Sequence, residues 1–283
     1  MLGGGGMEVN QNTFRLPRRQ REAHKGDFGR VQIFAGSVGY TGAPVLAARA
    51  AVRTGAGLVF VNVPKGVWSV VAAKCDEAMA RPAPRCPAKL CRQMHGCDAA
   101  LIGPGLGRGR RAEKAVHRLL RELEVPVVLD ADGLNAVAGH LDLLDRRGAV
   151  TILTPHEGEF ARLCGCKLPV ADREESARRF AREHNCVLVL KGHRTVTAAP
   201  DGRVWVNTTG NPGMAKGGSG DVLAGMIVAL LGQGFSPEQS AAMAVWLHGR
   251  AGDLCAAELG EYAMTPGDLL AALPRAMKEL EAD

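Results

Sequence analysis

"VQIFAGSVGYTGAPVLAARAAVRTGAGLVFVNV", residues 31–63, holds three patterns in one stretch. Its two ends, "VQIFAG" (31–36) and "GLVFVNV" (57–63), are short, rich in β-branched residues and closed by turn formers, as strands buried on both faces are. Between them "APVLAARAAVRTG" carries only two charges, Arg49 and Arg53, four apart on one helical face, and Gly55 stands where a left-handed stop belongs. Strand, helix and strand in that order make a βαβ unit. Runs of the same kind recur at "DAALIG" (98–103), "VPVVLD" (125–130), "AVTILT" (149–154) and "CVLVLKG" (186–192), mostly with helical patterns between them. The expected class is therefore α/β with a mostly parallel central sheet. At "VTAAPDGRVWV" (196–206) an Asp-Gly turn between two β-prone runs predicts a hairpin.

Three helices announce their starts. "TPHE" (154–157), "SPEQ" (236–239) and "TPGD" (265–268) each put a hydroxyl at the cap, proline at the first helical position and an acid or amide three residues after the cap. In the first of them Glu157 is then the capping-box acid.

The chain has 283 residues, no internal repeat and no shift in composition, and reads as one domain over residues 1–283 with about 25 flexible or extended residues in front. A domain of that size buries roughly three quarters of its unfolded surface and needs no disulfide or structural metal to hold a core. The eight cysteines, at 75, 86, 91, 97, 164, 166, 186 and 255, form no C-x-x-C pair and read as free thiols of a reducing cytosol. No apolar run approaches the ~20 residues that span a bilayer, and "MLGGGGMEVNQN" lacks the apolar core of a signal peptide. A cytoplasmic protein without membrane partners is expected. The oligoglycine start reads as an addition or as the remnant of a longer protein. Lys and Arg outnumber Asp and Glu by 35 to 29, with basic clusters at 18–25 and 108–118, a balance that suits phosphorylated small molecules or nucleic acid. Aromatic residues are only 4%, which counts against base stacking, so no nucleic-acid partner is expected. Solvated helix faces account for most of these arginines.

Glycine collects at the expected carboxyl ends of strands: "AGSVGYTGA" (35–43), "GPGLGRG" (103–109), "KGH" (191–193) and "GGSGD" (217–221). Ligands of open α/β sheets sit at that edge. Each loop alone is also explained as a tight turn, and for "GPGLGRG" the two readings stand level; four together argue for a large phosphorylated ligand or two. The P-loop pattern and the strict dinucleotide pattern are both missing. In "NPGMAKGGSGDVLAGMIVALL" (211–231) the amides of Gly217, Gly218 and Gly220 are free to turn toward an anion, and a helix starting near Asp221 adds its positive end. Asp221 is either a common acidic helix start or a base that takes a hydroxyl proton while the amides hold a phosphoryl group. The chargeless helix behind it must be buried on most sides. "TPHEGEF" (154–160) is not a zincin H-E-x-x-H, because Phe160 holds the place of the second histidine. It leaves His156 and Glu159 at the ligand edge, one to hydrogen-bond a ligand and the other to hold a hydrated metal. Asp130 and Asp132 of "LDADGLNAV" either assist that metal or serve turns and caps.

Taken in order from about Gly26 to the carboxyl end, these motifs and "LKGHRTV" (190–196) resemble the ADP- or ATP-dependent NAD(P)H-hydrate dehydratases of the ribokinase-like superfamily. The resemblance implies a three-layer α/β/α sandwich and repair of hydrated NADH and NADPH, with Asp221 as the base. It implies contacts of Ala43, Gly105, His156 and Asp221 to the hydrated dinucleotide, and an adenine nucleotide site lined by Lys191, Gly192, His193, Arg194, Thr195 and Gly220. Related sugar kinases carry N-x-x-E where this chain has His156 to Glu159, which makes Glu159 the candidate for Mg²⁺. A homotetramer and a functional link to an NAD(P)H-hydrate epimerase are further implications. The nucleotide is read as ADP or ATP, with ADP the choice that stand-alone relatives suggest. A kinase of a vitamin precursor or sugar on the same scaffold is the alternative, and a non-catalytic nucleotide sensor or nucleic-acid adaptor the reading from another class. Residues 81–96, rich in Pro, Cys and basic side chains, match nothing in the family.

Overall fold

The computed structural model describes residues 6–282. In chain order its elements are β1 (Met7–Val9), β2 (Arg30–Phe34), α1 (Gly42–Arg53), β3 (Leu58–Pro64), α2 (Lys65–Ala72), β4 (Met79–Ala83), α3 (Pro87–Met94), β5 (Ala99–Ile102), α4 (Arg110–Glu122), β6 (Val127–Leu129), α5 (Asp132–Val137), α6 (Asp142–Asp145), β7 (Thr151–Leu153), α7 (Glu157–Cys164), α8 (Arg173–Glu183), β8 (Val187–Leu190), β9 (Val196–Ala198), β10 (Val204–Asn207), α9 (Ser219–Gly232), α10 (Pro237–Leu259) and α11 (Pro266–Lys278). The strands form one sheet in the order β1-β10-β9-β8-β7-β6-β5-β2-β3-β4. Every pairing is parallel except the two made by β9, which runs against β8 and β10 as the expected hairpin.

Because side chains alternate across a strand, each buried strand feeds two cores. Val128, Val187 and Val189 face α1, α2, α9, α10 and α11, whereas Val127, Leu129, Leu188 and Leu190 face α3 to α8. Two helical layers thus sandwich the sheet, as the apolar runs on both faces require. In α1, Arg49 and Arg53 are exposed on the outer face and Gly55 takes φ 99° just past the helix end.

Two strands lie where no strand pattern stands in the sequence. β1 falls within residues 6–25 and pairs with β10, Met7 opposite Trp205 and Val9 opposite Asn207. β4 and α3 account for residues 81–96. As the last strand of the sheet, β4 tolerates Pro82, which has no N–H to give to a further neighbour. Its Arg81 covers the Phe60 ring at 3.7 Å.

α9 supports the site. Twelve of its residues, from Ser219 to Gly232, are buried, and it packs on α1, α10, β2, β5 and β6. The closeness to α1 depends on Gly225, where a Cβ would lie 2.2 Å from the Ala47 carbonyl oxygen.

Candidate active site

From β2 the chain builds outward through β3 and β4, then returns across to β5 on the other side of β2. The crevice between the carboxyl ends of β2 and β5 is therefore the switch point of the sheet, where α/β proteins bind ligands. Both glycine loops that leave these strands are tied together there. Gly36 N–H donates to the Pro104 carbonyl at 2.8 Å, and Ser37 Oγ donates to the Gly105 carbonyl at 2.8 Å. Gly105 comes so near Ala43 that a Cβ on it would sit 3.2 Å from the alanine Cβ. Ala43 and Gly105 are thus neighbours at the crevice. Asp132 accepts from Gly107 N at 2.8 Å and from Asn135 Nδ2 at 3.2 Å, so its role is to fasten the 103–109 loop.

Next along the same edge, β6, β7 and β8 deliver Asp130, Thr154 and Lys191. Asp130 Oδ1 accepts from Thr154 Oγ1 at 2.8 Å and from Lys191 Nζ at 2.9 Å. The helix after β7 starts two residues later than the "TPHE" pattern predicts. His156, not Thr154, is the cap: its Nδ1 accepts from Gly158 N and Glu159 N, while Glu159 Oε2 accepts from His156 N at 2.9 Å. The capping acid is therefore Glu159 rather than Glu157. Thr154 is drawn to Asp130 instead, and Glu157 pairs with Arg173 at 3.1 Å.

The third wall is the first turn of α9, which begins at Ser219, two residues before Asp221. Gly218 takes φ 103°, and a Cβ there would strike Leu46 Cδ1 at 2.6 Å, so only glycine fits the turn. Among the described residues the N–H groups of Gly217, Gly218 and Gly220 have no acceptor. These are the three amides that the sequence offered as a nest for an anion. Gly220 lies beside the ion pair, since a Cβ on it would be 3.3 Å from Lys191 Nζ and 3.9 Å from Asp130 Oδ2.

Asp221 is half-buried on this turn. Burial, then the negative charge of Asp130, push its carboxyl up to about 7, with Lys191 pulling the other way. For Lys191, burial opposes the ammonium, but Asp130, Glu159 and Asp221 outweigh it and hold its pKa above the ordinary value. A carboxyl near neutrality beside unpaired amides can accept a proton from an alcohol at physiological pH. Asp130 Oδ2 and Glu159 Oε1 have no partner among the described residues, and both are hard carboxylate oxygens of the kind that hold a partly hydrated Mg²⁺. The donor set fits that ion.

The strip 191–195 divides. Lys191 turns to Asp130 and the nest. His193 accepts from Arg173 Nη1 through its carbonyl at 2.6 Å, and Thr195 Oγ1 folds back on the Gly192 carbonyl at 2.9 Å. Arg194 reaches away, to Glu8 on β1 at 2.6 Å. The backbone of Gly192 to Thr195 therefore borders the site while the arginine side chain leaves it.

Two supports come from α10, which the sequence reading had not connected with the site. Asp253 accepts from Gly210 N at 3.0 Å and Asn211 Nδ2 at 3.1 Å, holding the loop that leads to the nest. His248 lies against the Ser219 carbonyl; its Nε2 is buried without a partner among the described residues, and burial above all lowers its pKa to about 4, so the ring is neutral. Two glycines inside "HGRAGD" (248–253) were the available signal, because a helix admits them chiefly where a backbone passes close.

Comparisons with known proteins agree on this architecture. The chain is 47% identical to the "Bifunctional NAD(P)H-hydrate repair enzyme Nnr" of Moorella thermoacetica over 279 residues, 95% of this chain and 53% of that protein. It spans about half the length of the first curated relatives it matches. A crystal structure of the ADP/ATP-dependent NAD(P)H-hydrate dehydratase of Bacillus subtilis, co-crystallized with ATP/Mg²⁺, superposes with a TM-score of 0.83 at 34% identity, covering 94% of this chain and 95% of that one. A ribokinase-like superfamily protein of Enterococcus faecalis reaches 0.87 at 29% identity over 97% of this chain and 96% of its own. The α/β/α sandwich is thus ribokinase-like. With residues 31–275 matching the NAD(P)H-hydrate dehydratase profile, a span that takes in both switch-point loops, the Asp130 pair and the nest before α9, this chain belongs to that family.

Proposed function

We propose that the chain is an ADP-dependent (S)-NAD(P)H-hydrate dehydratase, able to use ATP in the same way, and that residues 1–283 act as one dehydratase domain. Asp221 takes the proton of the ring hydroxyl as its oxygen attacks the terminal phosphoryl group of the nucleotide. The amides of Gly217, Gly218 and Gly220 hold that group, and AMP leaves when the donor is ADP. Hydroxide is a poor leaving group and phosphate a good one. The lone pair of the adjacent ring nitrogen then expels phosphate with the original hydroxyl oxygen, and loss of a ring proton restores the double bond of NADH or NADPH. Ala43, Gly105 and His156 are assigned to the hydrated dinucleotide, and Lys191, the backbone of Gly192, His193, Arg194 and Thr195, and Gly220 to the adenine nucleotide. Mg²⁺ near Glu159 and Asp130 would neutralise charge on the phosphates.

The observation that carries the reading is one carboxyl, Asp221, raised to about 7 on the same turn as three unpaired amides. The relatives' names support the substrate and the nucleotide, and the bifunctional ones support a link to the NAD(P)H-hydrate epimerase. We place the protein in the cytoplasm as a homotetramer on the family resemblance; among the described residues no helix is long and apolar enough to cross a membrane. The test is to mix the purified protein with hydrated NADH, Mg²⁺ and ADP or ATP and follow the absorbance of the reduced nicotinamide. Recovery is expected. A stable phosphorylated product without recovery would favour the small-molecule kinase, and no reaction with either nucleotide would refute the proposal.

A further inference from the structure

On the helical layer opposite α9, well away in sequence from the nest, α4 carries Glu113 and His117 four residues apart and so on one face. The turn after α5 brings His140 to that face, its ring 4.8 Å from the His117 ring. One ligand atom from each of the three lies within 4.8 Å of the others. His117 Nε2 is 2.7 Å from the Ala136 carbonyl. A carbonyl only accepts, so Nε2 is the donor, which leaves Nδ1 as the ring's ligand atom, the arrangement that orients metal-binding histidines. Among the described residues neither the Glu113 carboxylate nor the His140 ring has a hydrogen-bond or ion-pair partner. Both are exposed, and torsional shifts of roughly 1 Å bring the three donors to the spacing of ligands around an ion at about 2 Å.

We propose that Glu113, His117 and His140 form a binding site for a divalent transition cation of the zinc class, distinct from the reaction centre. The surroundings choose the metal. α4 also carries Arg110, Arg111, Lys114, Arg118 and Arg121, and this positive field works against any cation held mainly by charge, as Mg²⁺ and Ca²⁺ are. Coordinate bonds from two imidazoles overcome it for Zn²⁺. The bound ion joins α4 to the end of α5, the two helices that follow the 103–109 loop and Asp132.

The test is a competition titration of the reduced full-length protein with Zn²⁺ against a chromophoric chelator. One ion per chain is expected, weakened tenfold or more in His140→Gln and in Glu113→Gln, unchanged in Cys164→Ser, and not displaced by millimolar Mg²⁺. Both test residues are exposed, so the variants should melt at the wild-type temperature without zinc, and only the wild type should melt higher with it. Equal affinity in wild type and both variants, loss of binding in the cysteine variant, displacement by Mg²⁺ or no binding at all would each overturn the site.

Discussion

Asp221 is held at a cost. Its folded pKa, about 7, lies above that of an unfolded chain near 4, so between those values the folded protein binds the extra proton and stability falls as pH rises, the full cost being present above pH 7. Asp221→Asn should therefore melt later than wild type at pH 8, by about 1–3 kcal/mol after allowance for its partial exposure, and at the same temperature near pH 4. The same substitution should abolish turnover while nucleotide binding largely survives. Calorimetry at the two pH values and a nucleotide titration check both halves; full activity in the variant would reject its role as base. In the wild type, kcat/KM should fall below a limb near pH 7 as the base becomes protonated. Asp130 tunes that limb. In Asp130→Asn one repelling charge is gone and Lys191 is released to pair with Asp221, so both effects lower the pKa and the limb should move to more acidic pH, read from the pH–rate profile. A limb that stays in place would mean that Asp221 does not feel the Asp130–Lys191 pair.

α9 shows what a helix without charges is for. Its apolar body lets three helices and the sheet close around it, and Gly225 admits the α1 backbone. Gly225→Ala places a methyl 2.2 Å from the Ala47 carbonyl and should destabilise the fold by about 1–3 kcal/mol, seen as a lower denaturant midpoint. An unchanged midpoint would show that α1 gives way freely. Legibility in the sequence follows the same physics. The central strands were readable because burial on both faces leaves an unbroken apolar run, as in "VLVL" of β8. β1 and β4 were not, because three residues, or five that include Arg81 and Pro82, at the rim of a sheet carry no such run. The cap after β7 was misassigned to Thr154 and Glu157, because they fit the capping pattern by themselves, whereas the box that forms is His156 to Glu159 and Thr154 is drawn to Asp130. His248 and Asp253 lie more than 25 residues beyond Asp221, and no local pattern joins them to it.

At the scale of the molecule, ten strands of the described residues form one sheet with a core on each face, and all three walls of the candidate site stand along a single edge. The glycine loops along one edge were the part of the candidate site most nearly readable in advance, because glycine at successive strand ends implies an edge even before the strand order is known. The strand order itself was not readable. It depends on β4 returning to β5 across β2, a pairing that no stretch of sequence encodes alone.

The enclosure of α9 has a consequence for how the protein fails on heating. A base carried on a surface loop drifts out of register long before its scaffold melts, so catalytic output decays first. Here α1, α10, α11 and the sheet wall in the carrier, so it should stay in place until they melt. Curves of residual turnover and of ellipticity against temperature should superimpose, and a gap of several degrees between them would show that the first turn of this helix has a life of its own.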